Sequence, residues 1–286
     1  MRIFIHFLTL RHRRTYHYTV PKHPKISVII PAYNEEACLP ACLKALAAQS
    51  VAPFEVIVVD NASSDKTALV AKRHPFVTLI SEKTRGRVYA RNAGFSAARG
   101  DILARLDADA VIPSDWIQWI GEFYADGNTR AALTGGAHFY NMRPSWLVSW
   151  AYNWLVFRFN TVLTGKPTLW GSNMALPKKL WQEVAADVCL DNSLHEDLDL
   201  AFHVRRAGGD ICYDTSTRVR VEMRRVHTDR QALWPYLQMW PRTLRRHGFW
   251  TWPLCWFVGA LLLYIASPFP VLFERITRLF TKTKRQ

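Results

Sequence analysis

The chain has 286 residues, of which 49% are hydrophobic and 21% charged, and a formal net charge of +14. That length and apolar content can bury a sizeable core, and they exclude an intrinsically disordered chain. Both ends are basic and the middle is mildly acidic; Trp-rich apolar stretches, with no helix-turn-helix, zinc-finger or RNA-binding signature, favour a membrane surface over nucleic acid as the anionic partner.

Residues 1–24 form a basic, aromatic arm. Residues 26–30 (ISVII) are a continuous apolar run, as expected of a strand buried on both faces. A turn (PAYNEE) and a helix over residues 37–49 follow. The alternation then repeats: strand 55–59 (EVIVV), polar loop 60–65, helix 67–73, strand 76–81, helix within 86–98, strand 102–106. Strand–helix units of this kind imply a mostly parallel sheet covered by helices on both faces, and such sheets hold ligands beyond the carboxyl ends of their strands. Tyr33, Asp60 and Asp107 all fall at such ends.

Further along, a helix is expected over 116–124, a strand over 131–140, an amphipathic aromatic helix over 144–160, helices over 177–184 and 196–207, and a short strand over 211–213. Residues 248–273 carry no charge. Pro253, Pro268 and Pro270 leave only residues 254–267 uninterrupted, about 21 Å of helix against a bilayer core of about 30 Å. With arginines and lysines on both flanks, this segment suits an interfacial position at least as well as a spanning one. The five cysteines form no C-x-x-C and no paired framework, so they read as reduced thiols facing the cytosol. Residues 1–10 are apolar, but the basic cluster follows them and no small-residue cleavage site appears, so no cleavable signal peptide is expected.

Several constellations carry chemistry. Asp107-Ala108-Asp109 places two carboxylates at spacing i, i+2 after a strand, where they can share a hard divalent cation. Asp60 can accept a hydrogen bond from a base, while Ser63, Ser64 or Asp65 caps the next helix. The stretch 86–94 (GRVYARNAG) offers Arg87 and Arg91 to a diphosphate. His195-Glu196-Asp197 opens a helix; Ser193 and Glu196 have capping-box spacing, and the helix dipole would hold Asp197 ionised as a general base requires. His227 is a candidate metal ligand beside Asp109, although a lone histidine is more often structural.

In order, ISVIIPAYNEE, EVIVVDNASSDKT, GRVYARNAGFSAARGDILARLDAD, WGSNMALPKKLW and HEDLDLAFHVRRAG resemble the family 2 nucleotide-sugar glycosyltransferases, over residues 26 to about 227. The resemblance implies a GT-A fold for residues 25–230, with residues 231–286 as a membrane-associating helical region. It implies inverting, metal-dependent transfer of a sugar from a nucleotide-sugar donor. Pro31, Tyr33, Glu35 and Asp60 would hold the nucleoside; Arg87, Arg91 and Asn92 would face the diphosphate. Asp107 would contact ribose or metal, and Asp109, with Asp107 and His227, would hold Mg²⁺ or Mn²⁺. Gly171, Ser172 and Asn173 would line the acceptor side, and Asp197, with Glu196 beside it, would be the catalytic base.

Processive polysaccharide synthases of the family carry Q-x-x-R-W and several transmembrane helices. Here Gln238-Met239-Trp240-Pro241-Arg242 is at most a degenerate version, which points to single-sugar transfer, with a UDP-sugar donor and a lipid-linked or saccharide acceptor at a bacterial inner membrane. The alternatives are a catalytically silent membrane adaptor, against which intact Asp60, Asp109 and Asp197 argue, and a nucleotidyltransferase, which would want a Gly-rich, Lys-bearing loop where this chain has PAYNEE.

Overall fold

A computed structural model describes residues 24–141, 144–222 and 230–266. They build a seven-stranded sheet in the order β3-β2-β1-β4-β6-β5-β7. The strands are β1 (Ile26–Ala32), β2 (Glu55–Asp60), β3 (Val77–Ser81), β4 (Ile102–Arg105), β5 (Ala131–Phe139), β6 (Met174–Pro177) and β7 (Asp210–Val221). The helices are α1 (Leu39–Ala47), α2 (Thr67–Lys72), α3 (Arg87–Ala97), α4 (Trp116–Ala125), α5 (Ser145–Asn153), α6 (Asn160–Thr164), α7 (Lys178–Val184), α8 (Glu196–Arg206), α9 (Arg230–Arg246) and α10 (Trp252–Ala266).

The apolar run of β1 is buried because both sheet faces are covered. Its period of two sends Ile26, Val28 and Ile30 into one core with Leu39, Leu43, Trp116 and Ile120 from α1 and α4. Ile29 points into the other core with Ala90, Phe95, Leu180 and Leu200 from α3, α7 and α8. Helix α3 approaches closely enough that a Cβ on Gly94 would lie 2.4 Å from Ile29 Cγ2. A third, small cluster joins Leu198 and Phe202 of α8 to Leu244 of α9, Cys255 of α10 and Leu163 of α6.

Strands β1, β2, β3 and β4 pair in parallel, and the chain reverses its direction of travel across the sheet between β1 and β4. That is the topological switch point at which such sheets open a ligand crevice. Beyond β4 the sheet is mixed. Strand β6 runs antiparallel to both β4 and β5, while β5 and β7 are parallel.

Two elements depart from the sequence expectations. Strand β7 runs for 12 residues where a short strand was expected. Its second half reads Thr-Arg-Val-Arg-Val, an alternation that suits an edge strand, and a register shift opposite Gly135 and Gly136 absorbs the interruption. The aromatic helix expected over 144–160 is α5 followed by a π-turn, Trp154–Phe159, and then α6. Trp146, Trp150 and Trp154, four residues apart, are exposed, while Val156 and Phe157 are buried in the first core.

Helix α10 has 15 residues and keeps Pro253 in its first turn, where a missing N–H costs nothing. Among the described residues no helix is long and apolar enough to cross a membrane. The N-terminal arm to residue 23 and residues 267–273 of the uncharged stretch lie outside the described residues.

Candidate active site

The site is assembled where β4 ends, and antiparallel pairing is the reason. Arg105, the last residue of β4, is opposite Met174, the first of β6. The residues that precede β6, Gly171-Ser172-Asn173, therefore meet those that follow β4. Gly171 N–H donates to Asp197 Oδ2 at 2.9 Å, and Ser172 Oγ donates to Asp107 Oδ2. A Cβ on Gly171 would stand 2.5 Å from the Arg105 guanidinium and 2.6 Å from Asp197 Oδ2, so only glycine fits.

Arg105 is the hub. Its side chain is 3% exposed, and it reaches Asp197 through Nη1 and both Asp107 and Glu196 through Nη2 at 3.2 Å. Arg87 adds a second cation, 3.5 Å from Glu196 Oε2. Two arginines and three carboxylates thus share one crevice, which keeps buried charge compensated. The three carboxylates hold the Arg105 guanidinium firmly protonated against its burial. Arg105 was not singled out from sequence. The available signal was its charge inside the apolar run ILARL, since an arginine in a strand covered on both faces must be paired.

Burial pushes the Asp197 carboxyl up to about 6; Arg105 opposes the rise, and the Glu196 and Asp107 charges add to it. The rise works against the helix dipole, yet a carboxyl near 6 is still mostly ionised at pH 7. Glu196 moves the other way. Although burial opposes ionisation, Arg87 and Arg105 hold it well below the usual carboxylate range. The expected capping box is absent too. Helix α8 starts at Glu196 with His195 at its N-cap and no side-chain cap, and Ser193 instead donates its N–H to Asp191. Glu196 is drawn to the arginines, which neutralise it more strongly than a backbone N–H could.

At the ends of β1 and β2, Asp60 is 9% exposed, and its Oδ1 has no hydrogen-bond partner among the described residues. Tyr33 is exposed just past the end of β1, whose last residue, Ala32, pairs with Asp60, and the Arg85 guanidinium lies 4.0 Å from its ring centroid. Asn61 ties this end together, donating to the Glu82 and Thr84 carbonyls and accepting from Gly86 N–H at 2.8 Å. Gly86 adopts φ +147° with the Asn192 side chain against its Cα, a position closed to any side chain. Pro31 and Glu35 are half-buried, and Glu35 N–H is held by Thr67 Oγ1 at 2.7 Å. Asp65 accepts from Thr67 N–H at 2.9 Å, whereas the N-cap of α2 is Lys66, which has no side-chain cap, in place of the Ser63, Ser64 or Asp65 expected there.

Not every expected donor or acceptor residue faces the crevice. Arg91 is fully buried; it donates to the Glu196 carbonyl at 2.7 Å and to Asn92 Oδ1, and so orients α8 from behind. Asn173 is fully buried as well, with its Oδ1 accepting from Trp116 Nε1 at 2.8 Å. Asp109 sits half-buried on the turn that Ala110 N–H closes onto the Asp107 carbonyl at 3.0 Å. His227 lies outside the described residues.

Helix α9 covers the start of α8, an arrangement the sequence did not suggest. His195 donates its N–H to Thr243 Oγ1 at 2.8 Å and packs its ring 4.5 Å from that of Trp240. Arg87 Nη2 reaches Met239 Sδ at 2.9 Å, and the Arg87 guanidinium lies 5.4 Å from the Tyr236 ring. The degenerate motif around Trp240 is thus the lid of the acidic cluster.

Acids and cations gathered beyond the carboxyl ends of a doubly covered sheet, at its switch point, lie where α/β enzymes hold their ligands. The comparisons make the class particular. The model of glycosyl transferase family 2 matches residues 27–184, more than half of the chain, and the chain belongs to that family. It is 37% identical over 102 residues to glycosyltransferase AglE of Haloferax volcanii, covering 33% of this chain and 34% of that one. It is 37% identical over 102 residues to the undecaprenyl-phosphate 4-deoxy-4-formamido-L-arabinose transferase of Serratia proteamaculans, covering 32% and 31%. The chain thus spans about a third of the length of these curated relatives. Among solved structures, the mannosyltransferase PcManGT from Pyrobaculum calidifontis, in complex with GDP-Man and Mn²⁺, superposes with a TM-score of 0.64 at 21% identity, over 90% of this chain and 80% of that one. The fold is accordingly GT-A-like, and its central sheet is mixed but mostly parallel, with β6 alone among the described strands running the other way.

Proposed function

We propose that this glycosyltransferase moves a single sugar, with inversion, from a nucleotide-sugar donor to a hydroxyl or phosphate of a lipid-linked or saccharide acceptor, and that Asp197 is the general base. The observation that carries this reading is the convergence of Asp107, Ser172, Glu196 and Asp197 on Arg105 at the end of β4. Asp60, whose Oδ1 is unpartnered among the described residues, suits a base N–H of the nucleoside, with Tyr33 beside it. Arg87, part-exposed at the crevice, suits the diphosphate.

Asp197 would take the proton of the acceptor hydroxyl, whose oxygen attacks the anomeric carbon from the side opposite the departing nucleoside diphosphate. One displacement assisted by one base gives inversion. A carboxyl raised by burial is a stronger base than an ordinary aspartate, and the Gly171 N–H and Arg105 fix its orientation. The oxygen donors Asp107 and Asp109, on one turn and neither fully buried, fit a hard cation such as Mg²⁺ or Mn²⁺. When bound, that cation would neutralise charge on the leaving diphosphate.

The acceptor is read as lipid-borne on two grounds. A relative is named for an undecaprenyl-phosphate acceptor. Exposed Trp146, Trp150 and Trp250 also supply amphipathic rings of the kind that settle at a membrane–water interface. On this reading residues 25–230 are the catalytic unit, residues 231–286 rest on the cytoplasmic face of the membrane, and the donor is a UDP-sugar.

The experiment is Asp197→Asn assayed for transfer and for donor binding, together with a thermal-shift panel of UDP- and GDP-sugars on the wild type. We expect turnover to fall about 10²–10⁴-fold with donor binding nearly intact, and one nucleotide sugar to raise the melting temperature by mass action. Wild-type turnover in the variant removes Asp197 as base. No stabilisation by any nucleotide sugar would favour the silent adaptor.

A further inference from the structure

A second cluster of ligating side chains lies on the opposite flank of α8 from the acidic crevice. Asp199 stands two residues after Asp197, which at 3.6 residues per turn places it about 200° around the helix. His203 follows Asp199 at i, i+4 and so shares its face. Cys189, in the loop after α7, and His247, directly after α9, complete the group. One ligand atom from each of Cys189, Asp199, His203 and His247 lies within 4.8 Å of all the others.

These side chains converge on a point. His247 Nε2 is 2.8 Å from Asp199 Oδ1, and His203 Nε2 is 3.5 Å from the same oxygen. Asp199 Oδ2 accepts from Cys189 N–H at 3.0 Å, which turns the thiol's residue toward the carboxylate. The side chains of Asp199 and His247 are 1% and 2% exposed and that of His203 is 9% exposed. His203 Nε2 has no hydrogen-bond partner among the described residues although it is buried and points into the cluster. A buried imidazole nitrogen held only at ion-pair distance from a carboxylate, with a second imidazole and a thiol beside it, suits an electrophile between them.

We propose that Cys189, Asp199, His203 and His247 form a structural zinc site that fastens the loop after α7 and helix α9 to α8. One thiolate, two imidazoles and one carboxylate are a tetrahedral set of the softness zinc takes, whereas the harder Mg²⁺ and Mn²⁺ have little use for a thiolate. Bonds of about 2.0–2.3 Å set ligand atoms roughly 3.3–3.8 Å apart, so the widest pair has to close by about an ångström. Four protein ligands leave no open position, which separates the site from a catalytic metal. Binding displaces the Cys189 thiol proton to solvent and leaves the sulfur as the metal-bound thiolate. The consequence for the glycosyltransferase is mechanical: α9 carries Tyr236, Met239 and Trp240, which cover His195 at the start of α8 and Arg87 at the start of α3.

The test uses the purified full chain, stripped with a chelator and then titrated with Zn²⁺ against a chromophoric competitor and separately with Co²⁺. We expect one tight zinc equivalent and a thiolate-to-cobalt charge-transfer band. Cys189→Ser should abolish the band, His247→Gln should weaken zinc at least about tenfold, and Asp109→Ala should keep both signals, because it belongs to the other site. In the wild-type protein, Zn²⁺ should also shield Cys189 from alkylation, read by peptide mass spectrometry; this arm does not depend on a variant folding. No thiolate band, zinc affinity unchanged in Cys189→Ser and His247→Gln, or no shielding of Cys189 would each overturn the site and leave the cluster as a hydrogen-bond network only.

Discussion

Arg105 at the end of β4 and Asp197 in the first turn of α8 lie 92 residues apart in sequence and are joined by a buried, hydrogen-bonded ion pair. The pair ties the start of α8 to the end of β4. It also means that one cation is shared by the three acids of the crevice, and the predictions below follow from that sharing.

Removing the hub should be costly. Arg105→Met leaves Asp107, Glu196 and Asp197 facing one another with only Arg87 nearby. Breaking a buried ion pair from one side costs roughly 3–5 kcal/mol, which in a chain of this size lowers the melting temperature on the order of 10 °C. Calorimetric melting of the variant beside the wild type measures this, and an unchanged melting temperature would show that the cluster is not coupled to stability.

Gly171→Ala probes the same centre with a single methyl group. Its Cβ would sit 2.5 Å from Arg105 and 2.6 Å from Asp197 Oδ2. Overpacking of this kind costs about 1–3 kcal/mol, and here the strain falls on the base. Loss of kcat with little change in donor affinity is expected, and steady-state kinetics with calorimetric donor binding separate the two.

The pH profile carries a definite sign. As the proposed base, Asp197 would react as the carboxylate, and burial raises its pKa to about 6. The kcat/KM of the free enzyme should therefore rise tenfold per pH unit below about 6 and level off above it. Stability runs oppositely for this group: its folded pKa lies above the unfolded value, so its contribution is full at low pH and is lost as pH rises through about 6. A flat profile between about pH 5 and 7 contradicts the assignment of Asp197.

Asp109→Ala should abolish the Mn²⁺-dependent component of nucleoside-diphosphate binding while leaving the fold intact, because the side chain sits half-buried on a turn rather than in the core. Calorimetric titration of the nucleotide with and without Mn²⁺ reads the difference directly. Equal Mn²⁺ enhancement in variant and wild type would remove Asp109 from the cation site.

Much of the architecture was legible along the chain. Apolar runs such as ISVII and EVIVV announce doubly covered strands, because a strand buried on both faces has no polar alternation to keep. The same reading put Asp60 and Asp107 at strand ends, since carboxylates cannot stay in such a run. The family motifs likewise pointed to Asp197. Other features were not legible. Strand β6, hidden in WGSNMALP, has four residues, too few to show a period. Its antiparallel course brings Gly171 and Ser172 to Asp107 and Asp197, and sequence spacing does not encode strand direction.

The sequence by itself determined the alternation of strands and helices, the family, and the residue types able to hold a nucleotide and move a proton. Only the tertiary structure decided which of them meet. It turned Arg91 and Asn173 inward as supports, made Arg105 the shared counter-ion, laid α9 over the start of α8, and collected Cys189, Asp199, His203 and His247 on one flank. The physical reason is that chemical identity and local periodicity are properties of neighbours along the chain. Charge pairing and ligand convergence depend on separations in space, which exist only once distant segments have packed.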